Sequence, residues 1–599
     1  MKNLVFRTIF FCTFVGIIVL SHSCERFENF LDKPPGVDVN EDTIFSNQTQ
    51  VETFITTLYR EGLHSTLAIN DGTSPNPNSA AMANGFFGHS GTGNISYVGY
   101  TDEGQGVADW GDNRNFNKGL VNVTNIHHSD YRYHLRWYVI RRANILMERI
   151  DNVPGVTQSY KDQVKGEALT IRAMNYFEML KRYGGIPIVD KRLSTTNLLE
   201  FPKDRRSIED VVNFIVADCD QAASLLPNSY PSNMRGRITK GVALLIKAKT
   251  LLTAASPLFN TATPYLDLGE YNNLICYGNY DRDRWQKAAD AAKAVLDWAV
   301  QGYASLITDK GVDKNYKYVW ETHDNSEILL ANKFVGTALR RNQHPFTHIL
   351  FPGGGAFPGT YGTTILFNFV RRYEKRDGTP QDWDMNGGDD LQQKYDELDY
   401  RFRQTVGYNQ SYWNATLPVL NLYEGQGHYT NCWGGHWQRK FVPDAINNGS
   451  GTAIPHNYLY RLADAYLIYA EALNEAQGPI QAARDAINAI RNRSGQPNVP
   501  TDLTPDQFRE LVHNERTIEL AFENNRLWDA TRWMTAEDEI GGDMYGLQIK
   551  RVTRPTEHFT YLPYVPTQVG TRVFRRGMYL HCFIQTEVDK GFLVQNPGW

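Results

Sequence analysis

The sequence predicts a mainly α-helical fold, a tetratricopeptide-like helical repeat scaffold with long irregular, loop-rich insertions. Three observations lead to this fold class. Apolar residues recur every three or four positions through several long segments, which is the spacing of one buried helix face. Small residues line two neighbouring segments between 461 and 493, where the helices of a tetratricopeptide-like hairpin would touch. Periodicity fades between about 67 and 129 and between about 302 and 458, where Gly, Asn, Pro and aromatic residues accumulate.

The amino terminus has the three-part layout of a secretory signal. Basic residues precede an apolar run from 9 to 20, which is shorter than the roughly 20 residues that span a bilayer. A small residue then precedes Cys24, as in a lipobox, although Ser21 stands where leucine is usual. We therefore expect residues 1–23 to be a lipoprotein signal peptide and Cys24 to carry a lipid anchor. Ordinary cleavage that leaves a free thiol is the alternative.

Start and stop signals divide the rest of the chain into helices. Gly184-Gly185 ends one predicted helix, and Ser207 is a predicted N-cap with Asp210 three residues later. The predicted helices cover residues 131–150, 158–182, 207–226, 239–255, 284–300, 459–477, 480–493 and 505–533. Since no 34-residue repeat is strict, an unrelated helical bundle is the alternative to degenerate repeats.

The domain organisation follows from these helices. No Gly/Ser-rich or Pro-rich linker divides residues 24–599, so we expect a single domain. Its helical scaffold would comprise about 40–66, 130–300 and 459–535. The loop-rich parts, about 67–129 and 302–458, would have a functional role, because loops of this length in a compact protein are usually functional. Residues 536–599 would form an irregular C-terminal segment.

Composition excludes several classes of function. The net charge is -5 and no basic stripe appears, so nucleic acid is not an expected partner. Four cysteines of the mature chain are scattered without CxxC spacing, which argues against structural zinc and a disulfide framework. The chain contains 12 Trp, 33 Tyr and 29 Phe, many in segments that look like loops. Aromatic residues outside a core are typical of recognition surfaces.

Five motifs, in this order along the chain, resemble the SusD/RagB family of outer-membrane nutrient-binding lipoproteins. They are Phe30-Leu31-Asp32 with Pro34; Gly166-Glu167-Ala168 through Tyr183-Gly184-Gly185-Ile186-Pro187; Gly236-Arg237-Ile238-Thr239-Lys240 through Ser256-Pro257-Leu258-Phe259-Asn260; Glu515-Arg516 through Trp528-Asp529; and Gln595-Asn596-Pro597-Gly598-Trp599. Each motif alone is weak, but the order is specific to the family.

The resemblance implies a function and an address. The protein would be a cell-surface lipoprotein of the outer membrane that binds an oligosaccharide or polysaccharide and passes it to a SusC-like TonB-dependent transporter. It would not be an enzyme and would need no cofactor beyond the lipid on Cys24. A peptide or glycoconjugate ligand is one alternative, and a surface glycoside hydrolase is another from a different class. A hydrolase needs two carboxylates across the sugar bond, but carboxylates are too common here to decide.

The same resemblance indicates ligand-binding residues in the loop-rich parts. Thr101-Asp102-Glu103 followed by Trp110 and Asn113 is similar to the segment that supplies a stacking aromatic and an amide in starch-binding members. Trp110 packing its own loop onto the helices is the alternative. The other stacking residues of the family follow the stretch that matches Ser326-Glu327-Ile328. The candidates there are Arg341, Phe346, Phe357 and Tyr361, with Arg340 beside them.

Two further features stay open in the sequence. One is an aromatic stretch that extends the binding face or merely fills it, formed by Tyr412, Trp413, Trp433, His436 and Trp437. The other is a weak calcium loop with oxygen ligands on alternate residues before a glycine, formed by Asp382, Asp384 and Asn386. The twelfth position of that loop is Gln393 rather than a bidentate glutamate. A solvated acidic turn is therefore the preferred interpretation.

One charged motif looks structural rather than chemical. Its acidic and basic residues recur every three or four positions, so they can pair along one helix. They are Glu515, Arg516, Glu519, Glu523 and Arg526.

Overall fold

The structure is a computed structural model. It describes residues 41–63, 97–106, 112–124, 133–194, 196–197, 200, 202, 204–333, 339–340, 363–415, 417–429, 432–444, 452–453 and 456–599. Cys24 and the predicted signal peptide lie outside the described residues. Among the described residues, none of the helices combines the length and the apolar character that a membrane crossing requires.

Helices dominate the described chain, as the sequence predicts. In chain order they are α1 (Glu41–Ile44), α2 (Gln48–Gly62), α3 (Asp112–Asn117), α4 (Tyr133–Arg149), α5 (Gln158–Tyr183), α6 (Ile208–Leu225), α7 (Lys240–Ala255), α8 (Asp283–Trp298), α9 (Asn315–Glu321), α10 (Phe367–Val370), α11 (Leu391–Glu397), α12 (Tyr400–Thr405), α13 (Leu462–Gln477), α14 (Gln481–Arg493), α15 (Pro505–Glu519), α16 (Arg526–Trp533), α17 (Ala536–Glu539) and α18 (Gln585–Val588).

The predicted helix ends have the expected physical causes. The Ser207 hydroxyl accepts a hydrogen bond from the Asp210 backbone N–H at 3.1 Å and caps α6. Helix α5 ends at Gly184, whose φ of +72° is costly for any residue with a Cβ. At Gly185 an added Cβ would lie 2.1 Å from the carbonyl oxygen of Arg206. Both glycines of the motif are therefore required by the geometry of this exit.

The long helices form one continuous array. Each of α4, α5, α6, α7 and α8 packs against the next, and α8 packs against α13, which contacts α14 and α15. Close approach uses small residues: a Cβ added to Gly241 of α7 would lie 2.4 Å from the Trp298 ring of α8. The chain leaves this array after α8 and returns to it at α13. Residues 299–461 are thus inserted between two neighbouring helices of the array.

Strands are short and lie mostly in the insertion and the C-terminal part. They are β1 (Gly104–Gly106), β2 (Ile328–Ala331), β3 (Leu339–Arg340), β4 (Thr363–Ile365), β5 (Val406–Gly407), β6 (His436–Gln438), β7 (Thr452–Ala453), β8 (Tyr458–Arg461), β9 (Gly542–Asp543), β10 (Gly546–Val552), β11 (His558–Tyr564) and β12 (Thr571–Arg572). One sheet has the order β1-β4-β6-β5, and the other strands pair two by two.

The insertion contains more regular structure than the sequence suggests. Helices α9 to α12 and the four-stranded sheet enclose a second hydrophobic core, separate from the core of the helical array. Trp320 and Trp437 are each 1 % exposed at its centre. Its elements are too short for periodicity to appear in the sequence, so the segment reads as loop although it is packed.

Two predicted helices have different bounds in the structure. The helix expected from 459 begins at Leu462, because residues 458–461 form β8 and pair with β2. The single helix expected over 505–533 is divided into α15 and α16. Phe522 and Asn524, at φ +63° and +61°, separate them in the left-handed region. Neither is a glycine or proline, so the sequence carries no sign of this break.

The C-terminal segment is also less irregular than expected. Strands β10 and β11 form a hairpin of seven residue pairs, from Gly546 opposite Tyr564 to Val552 opposite His558. One face of the hairpin packs on the second core through Leu547 and Ile549. The hairpin thus covers one side of the second core. Residues 299–461, which contain most of that core, are called the inserted lobe below.

The charged motif pairs differently from the prediction. Glu519 on α15 contacts Arg461 and Arg493, which come from other elements, instead of a neighbour on its own helix. Arg516 likewise pairs with Asp464 and Asp529. These side chains are buried, so each charge needs partners from the elements packed against it. The motif is structural, as expected, but it joins elements to one another.

Candidate functional site

The strand pair β1–β4 is the described structure closest in sequence to both predicted ligand segments. The two strands run antiparallel, with Gly104 opposite Ile365 and Gly106 opposite Thr363. Gly106 is the last described residue before 107–111, and Thr363 is the first after 341–362. Both predicted segments are therefore attached to the same end of one strand pair. Nothing in the sequence alone relates them.

Most of the predicted ligand-binding side chains lie outside the described residues. These are Trp110, Arg341, Phe346, Phe357 and Tyr361. Their contribution to binding stays a prediction, supported by where their flanking strands lie.

Asn113 lies in α3 and is only 2 % exposed. A Cβ added to Gly99 would lie 2.9 Å from its Nδ2, so its amide faces that glycine. Within the described part of the chain, this buried Nδ2 makes no hydrogen bond. Direct contact between Asn113 and a ligand stays a prediction, and it requires the amide to become accessible.

The residues before β1 are held to the helical array by charge. Arg526 of α16 and Arg372 both bond Asp102, through Arg526 Nε and Asp102 Oδ1 at 2.8 Å and Arg372 Nε and Asp102 Oδ2 at 3.0 Å. Burial alone would raise the pKa of the Asp102 carboxyl, but the two guanidiniums outweigh it and hold that pKa well below its usual range. Asp102 is therefore ionised at any physiological pH and fixes this segment.

Glu103 is buried beside Asp102 in a different environment. Its carboxylate accepts hydrogen bonds from the Phe522 backbone N–H at 2.9 Å and from the Thr101 hydroxyl at 3.0 Å. Among the described residues, no cation lies against it comparable to the pair on Asp102, and burial raises the pKa of Glu103 to about 7. The carboxyl also helps to explain the break after α15. It accepts the hydrogen bond of the backbone N–H of Phe522, whose backbone has the left-handed conformation.

Arg572 of β12 completes the support of β1. Its guanidinium donates to the carbonyl oxygens of Thr101 and Gly104 and to the side-chain oxygen of Gln105, the last two at 2.8 and 2.9 Å. Gly104 itself allows the close approach of β4, because a Cβ at this position would lie 2.9 Å from the Thr364 carbonyl oxygen. The sequence offered no signal for Arg572, which is 467 positions from Gln105.

The aromatic stretch that contains Trp413, Trp433 and Trp437 has both buried and partly exposed residues. Trp413 and Trp437 are 2 % and 1 % exposed and fill the second core, and His436 is fully buried. Burial lowers the pKa of His436 to about 4, so its ring is neutral and bonds the Tyr395 hydroxyl at 2.7 Å. Trp433, by contrast, is only half-buried and lies under the guanidinium of Arg114, 5.3 Å from the ring centroid.

A lysine ammonium bonds the first residue of the weak calcium loop. The ammonium of Lys394 lies 3.0 Å from both the side-chain Oδ1 and the backbone oxygen of Asp382, where a cation would sit. Asp384 Oδ1 accepts from the backbone N–H and the amide of Asn386 instead. In the described ranges, no group of three or more His, Cys, Asp or Glu is arranged to hold a metal. Asp382, Asp384 and Asn386 thus form a turn closed by a lysine.

Comparison with family models finds two matches that together span most of the chain. A model described as "SusD family" matches residues 342–599. A second, described as "Starch-binding associating with outer membrane", matches residues 29–252. The first includes most of the second core and the C-terminal hairpin, and the second includes the segment with Asp102 and Asn113.

Individual relatives are similar over nearly their whole lengths. A SusD-like protein of Formosa agariphila is 23% identical over 551 residues, covering 86% of this chain and 88% of the relative. Among solved structures, a SusD-like protein of Bacteroides fragilis has a TM-score of 0.73 at 23% identity, covering 95% of this chain and 100% of the other. A surface glycan-binding protein A of Bacteroides fluxus has a TM-score of 0.58 at 16% identity, with coverages of 92% and 100%. The structural similarities confirm the predicted helical fold class.

Proposed function

Because this chain belongs to the SusD/RagB family, we propose that it is a cell-surface lipoprotein that binds an oligosaccharide and delivers it to a SusC-like TonB-dependent outer-membrane transporter. Members of the family bind nutrients and do not catalyse reactions. The proposal for this chain therefore concerns a binding site and a route of delivery, with no chemical step.

The pairing of β1 with β4 is the observation that carries the proposal. It brings together the ends of two segments that are each predicted to bind sugar, 107–111 and 341–362. These segments lie about 250 positions apart in the sequence. Aromatic side chains suit sugars because the C–H face of a pyranose is apolar while its rim of hydroxyls needs polar partners. Two such segments attached at one strand end suit an oligosaccharide better than a single sugar.

The relatives support a carbohydrate ligand and an outer-membrane address. One matching model is described as starch-binding and associating with the outer membrane, and one similar structure is a surface glycan-binding protein. Another, a SusD-like protein of Bacteroides fragilis with a TM-score of 0.65, is described as carbohydrate-binding. These descriptions support a carbohydrate as the class of ligand.

The lipid on Cys24 is the proposed attachment to the membrane. Two acyl chains and an acylated amino terminus hold a protein firmly, because each buried methylene contributes about 0.8 kcal/mol. Intact-mass measurement of the protein from native membranes should find acyl chains on Cys24, and Cys24→Ala should leave the membrane fraction. Recovery of an unacylated mature protein would contradict the anchor. Gentle purification of the anchored protein should bring along a TonB-dependent barrel.

Binding and hydrolysis are separated by one experiment. The mature protein is run in native gels that contain amylopectin, laminarin, arabinoxylan or pectin, and the same mixtures are examined for released fragments. Retardation by at least one polysaccharide without fragments supports the proposal. Release of oligosaccharides would indicate a hydrolase. If no polysaccharide of a broad panel retards the protein and peptides or glycopeptides bind it, its ligand is a peptide or a glycoconjugate.

A further inference from the structure

Trp433 sits on a turn whose backbone is fixed on two sides. The N–H of Gly434 donates to the Thr364 hydroxyl at 2.8 Å, and a Cβ at Gly434 would lie 1.9 Å from the Ile365 carbonyl oxygen. On the other side, a Cβ at Gly546 would lie 1.9 Å from the carbonyl oxygen of Trp433 itself. Strand β4 and the start of β10 thus leave the backbone of this turn little room to move. A ring carried on so rigid a backbone loses little conformational freedom when a ligand binds.

The Trp433 ring is available in a way that the other tryptophans of its stretch are not. It packs against the second core yet stays half-exposed, whereas Trp413 and Trp437 are enclosed. Its indole N–H donates no hydrogen bond to any described residue. Indole combines a large apolar face with one polar edge, and a buried indole usually finds a partner for that edge. The part of the indole that stays exposed offers an apolar surface of the kind on which a sugar ring stacks.

Arg114 provides the polar side of the same surface. Its guanidinium lies over the Trp433 ring, and its Nη1 donates to the backbone oxygen of Gln568 at 2.6 Å, which fixes its direction. The Gln568 side chain is exposed beside it. A guanidinium and an amide together supply donors and an acceptor for hydroxyl groups.

The location links this surface to the predicted ligand segments. Arg114 follows Asn113 directly in α3. Thr364, which anchors the turn, lies in β4 and therefore pairs with β1. The surface is thus built on the elements to which both segments are attached.

From these contacts we infer that Trp433 and Arg114 form a further subsite, in which one pyranose unit of the glycan stacks on the indole and its hydroxyls bond Arg114 and Gln568. This inference rests on the proposed function and adds residues to it. The subsite adds a contact to the proposed glycan site near the β1–β4 end and favours chains of several sugars over short ones.

The test compares variants on a polysaccharide that retards the wild-type protein. Trp433→Ala should weaken binding about tenfold or more, as expected for a central aromatic contact. Trp433→Phe keeps a flat ring and should recover part of that loss. The control is Tyr280→Ala, which removes an aromatic that is 61% exposed in the helical half and should change nothing. If the wild type binds and Trp433→Ala binds equally well, the subsite is wrong and the proposed function stands.

A second measurement does not depend on how well a variant folds. In wild-type protein labelled with 5-fluorotryptophan, the resonance of Trp433 is assigned as the one that Trp433→Phe lacks. Addition of oligosaccharides cut from the retained polysaccharide should shift this resonance and leave that of buried Trp285 unchanged. Saturating oligosaccharide without a shift of the Trp433 signal would overturn the subsite. If no polysaccharide binds the wild type, the proposed function fails first, and the subsite fails with it.

Discussion

Arg526 holds Asp102 with two parallel hydrogen bonds, Nε to Oδ1 at 2.8 Å and Nη2 to Oδ2 at 3.0 Å, although 424 positions separate the two residues. The contact fastens the chain just before β1 to helix α16. A fork of this kind also fixes orientation, because the planar guanidinium matches the carboxylate on both oxygens. The start of β1 is therefore aligned with the helical array by a charge pair.

Asp102→Asn should destabilise the protein by about 3 kcal/mol or more. The substitution keeps the shape but leaves Arg526 and Arg372 buried or half-buried without the aspartate charge, and breaking a buried pair costs about that much. Urea unfolding of the mature protein measures the change. Asp210→Asn is the matched control, because its pair with Arg206 is exposed and is worth about 0.5 kcal/mol or less. Equal losses in the two variants would contradict a special contribution from Asp102.

Glu103 gives the stability a pH dependence with a definite sign. Its pKa is about 7 in the folded protein against 4.5 for an ordinary glutamate, so between these values only the folded state keeps the proton. Stability from this group therefore falls as pH rises from 4.5 to 7, by up to about 3 kcal/mol. Glu103→Gln cannot titrate. The difference in unfolding free energy between this variant and the wild type should therefore shift in favour of the variant as pH rises from 4.5 to 7. Above pH 7 the difference should stay constant. A constant difference from pH 4.5 to 8 would show that Glu103 is ionised throughout.

Gly434→Ala tests the rigidity of the turn under Trp433. The new methyl group would meet the Ile365 carbonyl oxygen at 1.9 Å, which β4 cannot relieve without moving. We expect a loss of about 1–3 kcal/mol in unfolding free energy, with altered tryptophan fluorescence. Gly427→Ala, nearby in sequence, is the control: no atom lies within 4 Å of its added Cβ. If the two variants have the same free energy of unfolding, β4 does not restrict the backbone of the turn.

Trp110→Ala tests the residue that the sequence places first in the binding site. Binding to a retained polysaccharide should fall about tenfold or more, while the unfolding free energy stays within about 1 kcal/mol of wild type. A large loss of stability with binding preserved would indicate that Trp110 packs its loop onto the helices. Trp285→Ala, which removes a core ring that is 4 % exposed, shows what such a structural loss looks like.

The sequence predicts the helical array well because its signals are local. Ser207 caps a helix through an N–H three residues away, and Gly184-Gly185 ends one through its own backbone angles. The division of the predicted 505–533 helix could not be foreseen, because Phe522 adopts its left-handed conformation where Glu103, 419 positions away, receives its N–H. The pairing of Glu519 with Arg493 is not predictable from the sequence for the same reason.

The site is predictable only in part. Its aromatic and polar residue types, and the two segments that contain them, can be recognised from the resemblance to a family. That Gly106 lies opposite Thr363 depends on strand pairing between distant parts of the chain. The contrast between Trp433 and Trp437 is also invisible in the sequence, because both are tryptophans beside glycines or histidine. Only packing decides which ring is enclosed.

The return of the chain from α8 to α13 has an evolutionary consequence. Since those two helices contact each other directly, and β2 pairs with β8 where the insertion rejoins the array, the inserted lobe is closed at its base. Residues within it can be lengthened, shortened or replaced without changing which array helices are neighbours. Relatives of this chain can therefore differ in the surface of this lobe while they share the same order of helices in the array.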